Sequence, residues 1–406
     1  MLTRNQPLLC TLLVCFVVNT ALGQDSGRSR AELQKALSDK TAFGAADFAA
    51  LQLDQPVVRS IPTSDKAEIA VTGLVNIRAA ADEFLRTYRQ SMTQKSNAAI
   101  LEIGAFAAEP SFADLETLTL EARDIEDLKE CVVGECQIKL SAAMIERFRR
   151  EINWDAADCA AKVTTLFRQI LSEYVKDYRA RGEAALIEYN DKRDPVSLTA
   201  EQRALDAAPS YVNEFINGSK SDLQLLEDTL VWSKIKFGLK PVIAINHILI
   251  YRRNSDVGPQ VLIASKQIYA NHYINASLAL TAFVRVPDAP NGAYLVYENR
   301  SRADGLEGPF GKIKRGVVEK KAIEGLRAIL ANSKASLEGA TLAASAAELE
   351  SYQSYGWGQR LFGGVRPLLW LLVFSAIIAL LALGRRRTES FTASKHKALK
   401  PESAKS

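Results

Sequence analysis

Residues 260–286 read QVLIASKQIYANHYINASLALTAFVRV. Branched and aromatic residues dominate, a composition that favours strands. Yet Lys266, Tyr269, His272 and Tyr273 stand close together in it. At a period of two, Ile263, Ser265, Gln267, Tyr269, Asn271 and Tyr273 share one face, and Leu262, Ala264, Lys266, Ile268, Ala270 and His272 share the other. The second face is apolar apart from Lys266 and His272. The stretch is therefore either the wall of a pocket or a sheet with a polar outer side.

The same period extends outward. PVIAINHILIYRR precedes this stretch and AYLVYENRSR comes after it. Four consecutive strands result, with turn residues Asn254, Ser255, Asp256, Gly258 and Pro259 in the first connection and Pro287, Asp288, Pro290, Asn291 and Gly292 in the last. Connections this short impose antiparallel pairing. Upstream, AEIAVTGLVNI reads as a first strand, ADEFLRTYRQS as a helix and AAILEIGAFA as a second strand. LETLTLEARDI and ECQIKL alternate as further strands. From Ser141 the period changes. Met144, Ile145, Phe148 and Ile152, then Val163, Leu166, Phe167, Ile170, Leu171, Tyr174, Val175 and Tyr178, recur at three and four. The helical habit is read as far as Phe237, with a capping box from Thr199 to Gln202. A last helix over 311–333 carries Ile313, Val317, Leu326 and Leu330 on an apolar stripe and lysines elsewhere, which suits packing on the sheet.

The ends suggest export and anchoring. Residues 1–23 have the form of a signal peptide, with Arg4, the apolar LLCTLLVCFVV and small residues before Gln24. Residues 367–384, PLLWLLVFSAIIALLALG, are uncharged and followed by Arg385, Arg386 and Arg387, the pattern of a transmembrane helix with a cytoplasmic basic tail at 385–406. Read this way, 24–63 is a flexible arm, 64–333 the main domain with a helical insertion at 141–237, and 334–366 a stalk. The expected location is a bacterial inner membrane, crossed once, with the domain in the periplasm. Cys131 and Cys136 flank Gly134 and suit a small disulfide loop there, while Cys159 is left as a buried thiol.

The chain of 406 residues has 51 basic and 47 acidic side chains. That balance argues against a nucleic-acid partner. No GxSxG, HExxH or phosphate-binding glycine pattern occurs, and no residue set implies a metal or a cofactor. Five residues remain as ligand-binding candidates. His247 and His272 are the two histidines of the main domain, Lys266 interrupts an apolar face, and Arg300 and Arg302 offer forks for an anionic group. No catalytic residue is assigned.

The layout resembles the START-like, or polyketide cyclase-like (SRPBCC), helix-grip superfamily. The likeness rests on VTGLVNIRAAADEFLRTYRQ at 71–90 and most of 240–332. YENRSRADGLEGPFGKIKR is also similar to uncharacterised bacterial exported proteins. The resemblance implies an α+β fold in which a curved antiparallel sheet grips the long C-terminal helix, with an apolar ligand between them. The expected function is a membrane-tethered periplasmic carrier for a lipid or other apolar molecule. The alternatives are an envelope scaffold whose helical insertion docks an envelope protein, and a hydrolase or cyclase-like enzyme.

Overall fold

The computed structural model describes residues 30–41, 43–95, 99–207, 223–236, 240–253, 259–286, 289, 292–306 and 311–339. The helices are α1 (Arg30–Lys40), α2 (Ala45–Gln52), α3 (Ala81–Ser91), α4 (Ala122–Lys129), α5 (Ala142–Glu151), α6 (Cys159–Arg181), α7 (Leu198–Asp206) and α8 (Gly311–Leu337). The strands are β1 (Val57–Ile61), β2 (Glu68–Arg78), β3 (Ile100–Ala105), β4 (Glu188–Tyr189), β5 (Val196–Ser197), β6 (Leu223–Ile235), β7 (Val242–Arg253), β8 (Pro259–Ala270), β9 (Ile274–Arg285) and β10 (Gly292–Ala303).

Eight strands form one antiparallel sheet in the order β1-β2-β10-β9-β8-β7-β6-β3. Both of its faces bury apolar side chains. On one, Val75, Ile250, Ile263, Phe283 and Leu295 meet Phe84 and Leu85 of α3 and Leu326 and Leu330 of α8. The opposite face has two covers. Leu33, Leu37, Phe48 and Leu51 of α1 and α2 lie on Leu74, Leu262, Val284 and Val296. Further along it, α5 and α6 bring Phe148, Val163, Phe167 and Ile170 onto Leu230, Trp232, Ile243, Ile245 and Tyr269. Two-sided burial explains strands with continuous apolar runs, such as VIAI in β7.

This architecture corrects the helix-grip expectation and the resemblance behind it. The sheet is open and uncurled: β1 and β3 are its edges and do not pair with each other. The long α8 rides on β2 and β1, at one edge, rather than being wrapped by the strands. Anchoring is corrected as well. No helix among the described residues is long and apolar enough to cross a membrane. α6 and α8 have the length, but α6 carries Lys162, Arg168, Glu173 and Lys176, and α8 carries Lys312, Lys314, Lys320 and Lys321. Charge at those positions is costly in hydrocarbon. The runs at 1–23 and 367–384 lie outside the described residues. The single-pass inner-membrane location, the periplasmic placement of the domain and the membrane as a partner therefore have no support in the fold and are withdrawn.

Local corrections have local causes. Residues 223–235 form a strand paired with β7, not helix, and a bulge at Leu226 breaks the alternation that would mark it in the sequence. Beyond it Leu230 and Trp232 face one core and Val231 the other, so three apolar residues run together. The segment expected as a strand from Leu115 is irregular and then enters α4, with Leu115 and Leu118 buried beneath α6. α7 is capped by Ser197, whose hydroxyl accepts from the Ala200 N–H, and not by Thr199. The stretch expected as a loose arm supplies α1, α2 and β1. Cys131 and Cys136 are joined as a disulfide, and Cys159 is free and half-buried.

The stretch at 260–286 holds the decisive irregularity. Ile245 pairs with Tyr269 and Asn246 with Gln267, so Ile268 is an extra residue in β8. A bulge of this kind re-aims the side chains beyond it. Tyr269 is thereby turned onto the face of Lys266, away from Gln267. Pairing between β8 and β9 runs only as far as Lys266 and Leu278. The backbone groups freed beyond that point are met by side chains of the helical layer. Tyr174 donates to the Ile268 carbonyl at 2.7 Å, Gln202 to the Gln267 carbonyl at 2.6 Å, and the Tyr189 hydroxyl accepts from the Ala270 N–H at 3.0 Å.

Candidate ligand-binding site

All five sequence candidates lie on the side of the sheet that carries the α4–α7 layer, and each is bonded within the chain. His247 and Lys266 are direct cross-strand partners on β7 and β8. His247 Nδ1 lies 2.9 Å from the Tyr178 hydroxyl and Nε2 lies 2.9 Å from Asp228 Oδ1. Burial pushes the Tyr178 hydroxyl up to about 12. Both ring nitrogens of His247 are engaged, Nδ1 by the Tyr178 hydroxyl and Nε2 by Asp228. Burial raises Asp228, but hydrogen bonds from Arg179 and His247 outweigh it and hold this carboxyl below its ordinary value. Tyr178, His247 and Asp228 thus form one connected set of hydrogen bonds. They tie α6 to the sheet. Lys266 is paired with Glu183, and that hydrogen bond holds the Glu183 carboxyl low.

Arg300 and Arg302 sit two residues apart on β10. Arg300 bonds Glu298 at 2.8 Å and Glu68 at 2.6 Å, all three buried. Arg302 bonds Asp65 at 2.5 Å and Glu201 at 2.9 Å, linking the start of β2 to α7. His272 stands apart, in the turn between β8 and β9. Its Nε2 is 3.0 Å from Asp124 and its Nδ1 3.1 Å from the Gln137 carbonyl, so both ring nitrogens face acceptors.

Close to His272 is a group with no local signal in the sequence. Lys139 is 2% exposed. Its ammonium bonds Asn275 at 2.7 Å and Asp304 at 2.6 Å, lies 3.8 Å from Asp191 and sits 5.0 Å above the Tyr189 ring. Burial pushes the Asp191 carboxyl up. Burial acts the same way on Asp304, but Lys139 and Lys192 outweigh it and bring that carboxyl down. Asp191 is fifty-two residues along the chain from Lys139 and Asp304 further still. Only the fold brings them together. Among the described residues, no group of three or more His, Cys, Asp or Glu side chains could hold a metal ion.

The opposite side of the same strands is different. On β7 to β10, beyond the part covered by α3, Asn246, Ser265, Ser277, Ala279, Asn299 and Ser301 are half-exposed. Register sets them side by side: Asn246 opposite Gln267, Ser265 opposite Ala279, Ala279 opposite Asn299 and Ser277 opposite Ser301. The Ser277 and Ser301 hydroxyls are 2.9 Å apart, Asn299 Nδ2 donates to Ser277 at 3.1 Å, and Ser301 donates to Asn299 Oδ1 at 2.8 Å. Gln267 is 2% exposed, and its Nε2 makes no hydrogen bond. Buried amides nearly always find a partner. Alternation sends every charged residue of this part of β7–β10 to the other side, so among the described residues of these strands the platform carries no charge. The period-two reading of 260–267 places both of its β8 members, Ser265 and Gln267, on one face. Their partners on β7, β9 and β10 needed the register.

No family model matches the chain, and no curated protein matches it.

Proposed function

We propose that this chain binds a small polar ligand non-covalently on the uncharged platform of β7–β10. One observation carries the reading: Gln267, almost wholly buried, holds an amide nitrogen without a partner amid half-exposed serine and asparagine side chains. An unbonded buried amide group costs about 1–3 kcal/mol. A ligand that accepts from it recovers that cost.

The lipid-carrier reading is given up. It rested on a gripped helix, a membrane tether and an apolar lining, and the half-exposed part of the sheet is polar. The ionisable residues on the other face are engaged with one another, which favours binding over proton-transfer chemistry there.

The test is accessibility in the full-length chain. Ser277→Cys and Thr281→Cys place thiols two intervals apart along the same face of β9. Ser277 is half-exposed and Thr281 is buried. Alkylation by iodoacetamide, located by peptide mass spectrometry so that Cys159 is scored separately, should be fast at 277 and slow at 281. Equal, slow labelling at both would mean that the platform is closed, and the reading would fall.

A further inference from the structure

The platform's chemistry goes further than its existence. This step rests on the binding reading above. We infer that the ligand class is a neutral, hydroxyl-rich molecule of the carbohydrate type.

Three features select that class. The first is the absence of charge among the described residues of the platform strands. Lys266, Glu298, Arg300 and Arg302 alternate onto the far side, where they are paired within the chain. An anion or cation placed on Ser265, Gln267, Ser277, Asn299 and Ser301 would lose water and gain no counter-charge. The second is the kind of polar group. Serine hydroxyls and side-chain amides each donate and accept, as sugar hydroxyls do, and the Ser277–Ser301–Asn299 ring of hydrogen bonds can be re-aimed without moving the backbone. The third is the apolar remainder. Ala279 lies within the polar rows, opposite both Ser265 and Asn299. Tyr297, one step along β10, packs into the core shared with α3 and α8 and bounds the platform on that side. A small methyl suits the C–H surface of a sugar ring.

Size agrees. Strands lie about 4.8 Å apart, so β7 to β10 span roughly 14 Å. Alternate residues along a strand are about 6.7 Å apart. Two such rows give room for roughly two linked sugar rings. A long acyl chain would lie across hydroxyls and amides whose hydrogen bonds to water it would remove.

The experiment uses the full-length Asn246→Cys protein, whose thiol lies at the β7 end of the platform outside the Ser277–Ser301–Asn299 ring, and measures protection of that thiol from iodoacetamide. The probes are cellobiose, maltose and N,N′-diacetylchitobiose as neutral saccharides, citrate as an anion and oleate as an apolar chain. The inference expects at least one saccharide to slow labelling threefold or more at a saturating concentration, with citrate and oleate inert. Gln267→Leu in the same background should weaken that protection at least tenfold in concentration. Because Gln267 is buried and the variant can misfold, Ser301→Ala, at a half-exposed position, is the second variant and should weaken protection several-fold with the melting temperature kept. Protection by citrate or oleate alone overturns the carbohydrate class and leaves the binding site standing. Labelling that is fast and unaffected by every probe overturns the class inference. Labelling that is slow throughout overturns the site itself.

Discussion

Replacing Lys139 with methionine removes a buried ammonium and leaves its partners in place. Lys139 holds Asp304 at 2.6 Å and Asn275 at 2.7 Å, and it is the nearest cation to Asp191. Breaking a buried pair by deleting one member costs about 3–5 kcal/mol, because the surviving charge keeps its desolvation penalty. Two details adjust that figure. Asp304 also bonds Lys192 at 2.6 Å and reaches solvent at its edge, so it is not stranded. Asp191 is buried, and its Oδ1 makes no hydrogen bond. Most of the loss therefore falls on Asp191, and about 3 kcal/mol is expected. At roughly 2–4 °C per kcal/mol for large domains, the melting temperature should fall by about 6–12 °C. The pH dependence has a definite sign. Burial already raises the folded pKa of Asp191, and Lys139 is the leading influence that lowers it. Without Lys139 the folded value rises further. A raised folded pKa gives stability that is complete below the unfolded value and lost as pH rises through the folded one. The deficit of the variant should therefore be smaller at pH 4 than at pH 7. Adding Asp191→Asn should restore part of the loss at pH 7. Urea unfolding followed by circular dichroism measures all three. A loss below about 1 kcal/mol, or a deficit that grows on acidification, would refute this account of the Lys139 cluster.

Three further outcomes rest on separate contacts. A β-carbon at Gly104 would lie 2.6 Å from the Trp232 indole nitrogen, which is fixed by its bond to the Asp114 carbonyl at 2.7 Å, so Gly104→Ala should cost about 1–3 kcal/mol in thermal or urea unfolding. Replacing Cys131 and Cys136 together by serine opens a loop of roughly six residues and should cost about 2 kcal/mol. The same change should speed amide exchange at Gly134 and Cys136, whose N–H groups donate to the carbonyls of Asn190 and Asp191. The hydrogen bond from Arg302 holds the Asp65 carboxyl below its ordinary 3.8, so its contribution is present above the unfolded pKa and lost as pH falls through the folded one. Asp65→Asn should therefore flatten the acid limb of stability below about pH 4 and leave the slope between pH 6 and 8 unchanged.

Where the sequence is legible, one period governs one environment. β2, α3, β7, β9 and β10 fall close to their expected positions because each repeats its pattern without interruption. β6 reads as helix because a single extra residue at Leu226 shifts the alternation and because both of its faces are buried near Trp232. A strict period of two puts Tyr269 on the wrong face for the same kind of reason, the bulge at Ile268. His247 and Lys266 stand out because charge on an apolar strand face is unusual, and the fold does make them neighbours. Their partners are out of reach of any local pattern. Tyr178 and Glu183 are separated from them by more than sixty residues, and no spacing rule links a helix residue to a strand that distant. The α1–α2 segment resembles an arm because alanine and charged residues mask its few large apolar side chains, Leu33, Leu37, Phe48 and Leu51.

The two sides of β7–β10 also differ in a way that bears on purpose. Charged side chains ordinarily face water, and neutral ones tolerate burial more cheaply. Here the arrangement is reversed. His247, Lys266, Arg300 and Arg302 lie under or beside the helical layer, where each depends on a specific partner. Serine and asparagine occupy the half-exposed side instead. A one-residue change of register would exchange the two sets, but it would also take Ile250, Ile263, Phe283 and Leu295 off the core they share with α3 and α8. The apolar positions of these strands therefore fix the order, and the polar residues follow it. The observed order does secure a stretch of sheet free of charge, with the amide of Gln267 held beneath it. Serine and asparagine are ordinary on a solvated face, so it is the amide of Gln267, without a partner, that bears on the binding proposed above.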